Sequence, residues 1–259
     1  MRVLRVLRGC LGLVLLLATV DAQAPAEKER VPVLVELFTS EGCNSCPPAD
    51  RILETLSKEQ PMDGVYVVAM SEHVTYWDHQ GWRDPFGSQR FTQRQNMYGA
   101  GLRLASVYTP QLVIDGTTEL VGSDTAQLKI ALANAAARPK PRLVVEVALA
   151  NGAITGSVSG PGLEGASEEA TELLWALTED NLVVDVKRGE NANRTLHHSG
   201  VVRTLTARKY DRANTAATTT SIPLQPEWKR DNLRLVAFVQ SVKTRRVLSV
   251  GWAQLPGAR

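Results

Sequence analysis

Apolar residues follow two rhythms along this chain, and the change between them falls near residue 140. In the first half, unbroken apolar runs alternate with helical patterns. Val33–Phe38 reads as a buried strand, ended by Thr39, Ser40 and Gly42. Ala49–Leu56 then places Ile52, Leu53 and Leu56 on one helical face. Val65–Met70 is a second buried-type strand, so this stretch predicts a β-α-β unit with a parallel strand pair. Ser88–Leu102 predicts a polar-faced helix. Val107–Gly116 carries Pro110 near its head and Asp115-Gly116 at its end, the pattern of a strand entering a hairpin. Glu119–Gly122 supplies the return strand, and Ser123 or Asp124 caps a helix running to Ala136.

Arg138-Pro139-Lys140-Pro141 reads as an extended linker. Beyond it, turn residues separate eight short apolar segments, from Leu143–Leu149 to Val247–Ala253, and no amphipathic helix exceeds two turns. That spacing predicts an antiparallel sandwich. The expected organisation is an α/β domain over 31–137 followed by an all-β sandwich domain over 142–259. Between the two strands and the hairpin, Ser71–Phe86 fits neither rhythm. Eight of the chain's 14 aromatic residues lie between Tyr66 and Tyr108, so this segment is expected to pack by its own side chains.

The first residues change the inventory. Arg2, Arg5 and Arg8 precede an apolar run, Cys10–Val20, that is too short to span a bilayer, and small residues follow. This is the pattern of a signal peptide over 1–22, with the mature chain beginning at Gln23. Three arginines and Asp21 leave with it, so 29 basic residues become 26 and 27 acidic residues become 26. A chain so near neutrality argues against nucleic acid or an anionic membrane as its main partner. No membrane anchor is expected after cleavage. Cys10 leaves too, so Cys43 and Cys46 are the only cysteines of a chain expected to be secreted or periplasmic, where disulfides persist.

The candidate chemistry follows from where those cysteines fall. Cys43-Asn44-Ser45-Cys46 joins a buried strand to a helix N-terminus, where the dipole and unpaired N–H groups favour a thiolate. Cys43 is expected at the exposed end of the loop as the attacking thiol, with Cys46 resolving the mixed disulfide. Pro47 and Pro48 suit the first helical turn. Two other uses of the motif stand beside this one: an inert disulfide staple, and half of a zinc site. In a competing binding-module reading the metal is copper, held by Cys43, Cys46 and His73, because thiolate–imidazole sets suit it.

Strand, Cys-x-x-Cys, helix, strand, helix and proline-led hairpin is the thioredoxin order. Four longer motifs resemble a family of secreted thioredoxin-like proteins classed as a domain of unknown function. They are Val-Glu-Leu-Phe-Thr-Ser-x-Gly-Cys-x-x-Cys-Pro-Pro-Ala-Asp at 35–50, His73 to Phe86, Val107 to Gly116, and Gly-Glu-Asn-Ala-x-Arg with its continuation at 189–203. Glu72 and Thr75 depart from the family pattern, which has an aromatic and an acidic residue there. The resemblance implies that Cys43 and Cys46 form a redox pair, that Pro110 is a cis-proline facing them, and that Glu36 stands near the carboxylate that deprotonates the resolving cysteine. It further implies that Thr109, Trp77, His73 and Asp78 line a substrate cleft. For Glu36 a solvent-facing strand-end acid is the alternative, and for His73 a hydrogen-bonded structural role. His197 and His198 read as structural or exposed. The expected activity is thiol–disulfide exchange with extracytoplasmic protein thiols or disulfides, using no bound cofactor. A copper-binding module and a partner-binding protein with a structural disulfide are the competing classes.

Overall fold

The computed structural model describes residues 30–161, 170–210 and 218–257. The expected leader over 1–22, with Cys10, lies outside them. In order, the elements are β1 (Val31–Thr39), α1 (Pro47–Glu59), β2 (Val65–His73), α2 (Gln89–Gly101), β3 (Gln111–Ile114), β4 (Thr118–Val121) and α3 (Thr125–Ala136). The second half supplies β5 (Val144–Ala150), β6 (Ala153–Ser159), β7 (Thr171–Glu179), β8 (Leu182–Asp185), β9 (Thr195–His198), β10 (Val201–Tyr210), β11 (Thr219–Pro223), β12 (Leu233–Ser241) and β13 (Val247–Gln254).

These strands do not form an α/β thioredoxin-like domain followed by a separate sandwich. Eight of them make one mixed sheet in the order β13-β12-β7-β10-β2-β1-β3-β4. β1 and β2 run parallel, as their β-α-β unit predicts, and β3 lies antiparallel on the other side of β1. The expectation fails at β2, whose second edge would be left unpaired in an isolated N-terminal domain. That edge is instead taken by β10, Val201 opposite Ser71, and the Ser71 N–H donates to the Gly200 carbonyl at 2.7 Å. An unpaired edge strand is a liability, and this one is closed from within the chain.

Side-chain alternation assigns the two faces. Leu34, Val68, Met70 and Phe91 from the first half share one core with Leu174, Ala176, Val202, Val236 and Phe238 from the second. This core lies on the α2 face and crosses the boundary expected from sequence. The opposite face is covered in two parts. At one end α1 and α3 bring Leu53, Leu56, Leu128 and Leu132 against Val33, Val35 and Leu37. At the other end the three-stranded sheet β11-β6-β5 sets Ile154, Val158 and Ile222 against Leu173, Trp175 and Leu235. Each fully buried side chain of this kind contributes roughly 1.5–3 kcal/mol.

Glu36 belongs to the α2 face, between Leu34 and Phe38. It is completely buried, and its carboxylate accepts from Arg94 Nε at 2.6 Å and from the Tyr98 hydroxyl. Arg94 also donates to Tyr98 at 2.8 Å and to Gln240 of β12 at 3.3 Å. Glu72 of β2 completes the cluster, 3.4 Å from Arg94 Nε. Burial, and then the neighbouring Glu36 charge, hold the Glu72 carboxyl well above the usual carboxylate range, with Arg94 offsetting part of the rise. The folded chain therefore keeps a proton that the unfolded chain releases above its ordinary pKa, and stability falls as pH rises from there towards the folded value. One such proton gives a slope of about 1.4 kcal/mol per pH unit. Glu72→Gln should remove that slope, and urea unfolding at pH 5 and pH 8 would reveal it. Parent and variant curves that fall in parallel over this range would contradict the assignment.

Candidate functional site

Strand β1 ends at Thr39, and the chain turns through Ser40-Glu41-Gly42 into the cysteines. Ser40 stabilises this turn twice: its carbonyl accepts the Cys43 N–H at 3.1 Å, and its hydroxyl accepts the Gly42 N–H at 3.1 Å. Cys43 and Cys46 are joined in a disulfide with Cα atoms 5.5 Å apart. Cys46 is the N-cap of α1, and Pro47 and Pro48 occupy its first turn. Cys43 does not stand at an exposed loop end: both cysteines are 0% exposed. Asn44 and Ser45 between them are the exposed residues.

Three elements wall the loop. From the segment after β2, Trp77 lies so close to Gly42 that a Cβ there would sit 2.9 Å from the Trp77 Cβ. The Trp77 indole N–H donates to the Thr109 hydroxyl at 2.8 Å, tying the cysteine loop to Thr109-Pro110, whose peptide bond is cis. Pro110 and Ala49 of α1 both close on Gly122, where a Cβ would lie 3.1 Å from the Pro110 Cβ and 2.8 Å from the Ala49 Cβ. Trp77, Thr109 and Pro110 are thus brought to the disulfide side of the molecule.

The second wall is a buried charged cluster behind the loop. Asp84 Oδ2 accepts the Glu41 N–H at 2.8 Å and lies 2.7 Å from His73 Nδ1. Asp78 Oδ1 accepts the Asp84 N–H at 3.2 Å, so His73 and Asp78 support the loop from behind. Burial alone would lower His73, but Asp84, with Asp50 and Glu41, more than offsets it and raises the imidazole above its usual value. Burial acts oppositely on Asp84, where His73 prevails and holds the carboxyl below its usual value. Asp50 lies one helical turn after Cys46 on the same face of α1. It is buried, and burial raises its pKa against the pull of His198, His73 and the Thr39 hydroxyl. Glu36, expected near the resolving cysteine, faces away from α1 with its charge committed to Arg94. Asp50 joins Glu41 and Asp84 among the buried acids on the disulfide's side.

The third wall comes from the second half and was not foreseen. β8 and β9 form a hairpin whose connection carries Gly189-Glu190-Asn191. Asn191 is completely buried, and its amide donates to the carbonyls of Glu41 at 2.8 Å and Cys43 at 2.9 Å. Arg194 donates to the Asn191 side-chain oxygen at 2.9 Å, fixing which way the amide points. Glu190 accepts the Asn44 N–H at 3.1 Å. His198 is buried, with Nε2 3.1 Å from Glu41 Oε1, while the other Glu41 oxygen accepts from Trp82 at 2.7 Å. His197 is exposed. The signal in the sequence was the 189–203 motif itself, a run of polar residues too specific for an ordinary hairpin loop.

The copper grouping finds no counterpart. Cys43 and Cys46 are bonded to each other, and His73 is committed at Nδ1 to Asp84. Among the described residues no three His, Cys, Asp or Glu side chains are placed to hold a metal ion.

Residues 34–240 match a family described as a protein of unknown function (DUF1223), and the chain belongs to that family. Among solved structures it resembles a structural-genomics target from Agrobacterium tumefaciens at 24% identity and a TM-score of 0.67, covering 89% of this chain and 97% of that one. It also resembles HBP35 of Porphyromonas gingivalis at 15% identity and a TM-score of 0.57, covering 89% and 77% respectively. Both likenesses are likenesses of fold. No curated protein matches the chain.

The contact between Gly42 and Trp77 yields a direct test. Gly42→Ala forces the indole or the loop to move, and overpacking of this kind typically costs about 1–3 kcal/mol. The variant should unfold at lower denaturant and shift the Trp77 fluorescence. An unchanged midpoint with unchanged fluorescence would show that the wall is not packed as described.

Proposed function

We propose that this protein is an extracytoplasmic thiol–disulfide oxidoreductase acting on protein thiols or disulfides through Cys43 and Cys46. The observation that carries the reading is the position of the disulfide. It closes across the N-cap of α1, where the helix dipole stabilises a thiolate at Cys43. Exposed Asn44 and Ser45 give the side from which a partner approaches.

In the reducing direction, the Cys43 thiolate attacks one sulfur of a partner disulfide. The Cys43–partner bond forms, the partner's S–S bond breaks, and its second sulfur leaves as thiolate. Cys46 then gives up its proton and attacks Cys43, which releases the partner dithiol and re-forms Cys43–Cys46. Two electrons have passed to the partner, and the same steps reversed oxidise a dithiol. Asp50, one turn from Cys46 and raised by burial, is placed to receive the Cys46 proton. Trp77 and Thr109 form the neighbouring surface for the partner chain.

Localisation outside the cytoplasm rests on the leader-like segment over 1–22 and on the two cysteines that remain after it. No helix among the described residues is long and apolar enough to cross a membrane. A second reading, a permanent staple, is favoured by the complete burial of both cysteines. Substitution separates the two. In the exchange mechanism Cys46→Ser leaves Cys43 unresolved, so non-reducing gels of acid-quenched extracytoplasmic fractions should show mixed disulfides, and Cys43→Ser should show few. Equal and negligible capture by both variants would favour the staple.

A further inference from the structure

The Gly189-Glu190-Asn191 connection belongs to the β8–β9 hairpin, yet its polar atoms are spent on the cysteine loop. Exchange at Cys43 depends on how well the loop stabilises a thiolate. The Ser45 hydroxyl lies 3.3 Å from Cys43 Sγ, and the backbone donors beside it are few. Pro47 and Pro48 have no N–H, so the first turn of α1 offers fewer donors than an ordinary helix start. The N–H groups of Ala49 and Asp50 both donate to the Cys46 carbonyl, and the Cys46 N–H donates to the Cys43 carbonyl at 3.3 Å. The Asn44 N–H, next in the chain to Cys43, is occupied by Glu190 at 3.1 Å. Glu190 therefore takes one of the loop's donors and brings a carboxylate charge to the residue adjoining Cys43. Asn191 and Arg194 hold it there, because the Asn191 amide is locked onto the carbonyls on either side of Gly42.

We infer that Glu190 is a positioning residue that sets the redox poise of the Cys43–Cys46 couple, biasing it towards the disulfide. The inference rests on the exchange reading above. The couple is one disulfide plus two electrons and two protons against two thiols, of which Cys43 ionises first. A carboxylate beside that thiolate destabilises the reduced form and leaves the disulfide unaffected. Removing the charge lowers the Cys43 pKa and makes the couple more oxidising. Glu41, Asp50, Asp84, His73 and His198 also surround the loop, and none changes when Glu190 is replaced.

Glu190 is exposed, so its effect is that of a screened surface charge, about 0.4–1 kcal/mol. The mature protein, equilibrated with dithiothreitol in graded thiol and disulfide ratios, gives the dithiol–disulfide constant directly. Glu190→Gln should shift it towards the dithiol about two- to fivefold, which is about 9–21 mV at 29.6 mV per tenfold. Glu190→Lys should shift it further the same way, and Glu59→Gln, at the far end of α1, should not shift it. Alkylation of the reduced protein against pH should show Cys43 ionising lower in the same order, with the differences shrinking at high salt. A loop merely loosened by substitution would not order Gln and Lys by charge. Unchanged constants and midpoints, or a shift towards the disulfide, overturn the inference. The exchange reading is judged separately by partner capture, so it can stand while the tuning falls.

Discussion

The structure depends on the close approach of two backbones at Gly200. Its φ is +67°, and a Cβ there would lie 2.8 Å from the Ala69 carbonyl oxygen. Only a residue without a side chain allows β10 to reach the edge of β2 at this point. Asp180 accepts the Gly200 N–H at 2.7 Å, and the Gly200 carbonyl accepts from Ser71, so the crossing is hydrogen-bonded on both sides. From this junction the sheet extends without interruption from β4 to β13. The β8–β9 hairpin, which immediately precedes β10, is thereby carried over the cysteine loop.

The junction explains why the disulfide site is composite. The turn from β1 into α1 supplies the cysteines, β2 supplies His73, and the segment after β2 supplies Trp77 and Asp84. The hairpin of the second half supplies Asn191, Glu190 and His198. A buried loop must satisfy its own carbonyls. Here those of Glu41 and Cys43 find their partner nearly 150 residues away, at Asn191. The carboxylates behind the loop are each met by a cation or donor, His73 against Asp84 and His198 with Trp82 against Glu41. Asp50 is the member of the cluster whose carboxyl burial raises, against the pull of His198 and His73.

Much of this was legible in the residues, and what was missed has a physical pattern. The β-α-β unit, the helix at 89–101 and the strands of the second half announce themselves by local periodicity. Periodicity says nothing about which strand completes an edge. The joining of β2 to β10, and so the single mixed sheet, stayed hidden behind a proline-rich segment that looks like a domain boundary. Glu36 stands out in sequence as a carboxylate that an apolar run must explain, but alternation turns it to the α2 face, where Arg94 is its explanation. Asp50, placed by the same helical period that marks Leu53, was passed over because an acid in a first helical turn is ordinary. β9 is four residues long, and with it went the significance of His198.

The central claim is that Cys43–Cys46 is a working couple and not a staple, and its reduction potential is the most direct measure. Equilibration of the folded mature protein with dithiothreitol, read by alkylation and mass, should give a value above about −300 mV, in the range of exchanging dithiols. A potential below that value, with no reduction short of unfolding, would mark a structural disulfide and contradict the account.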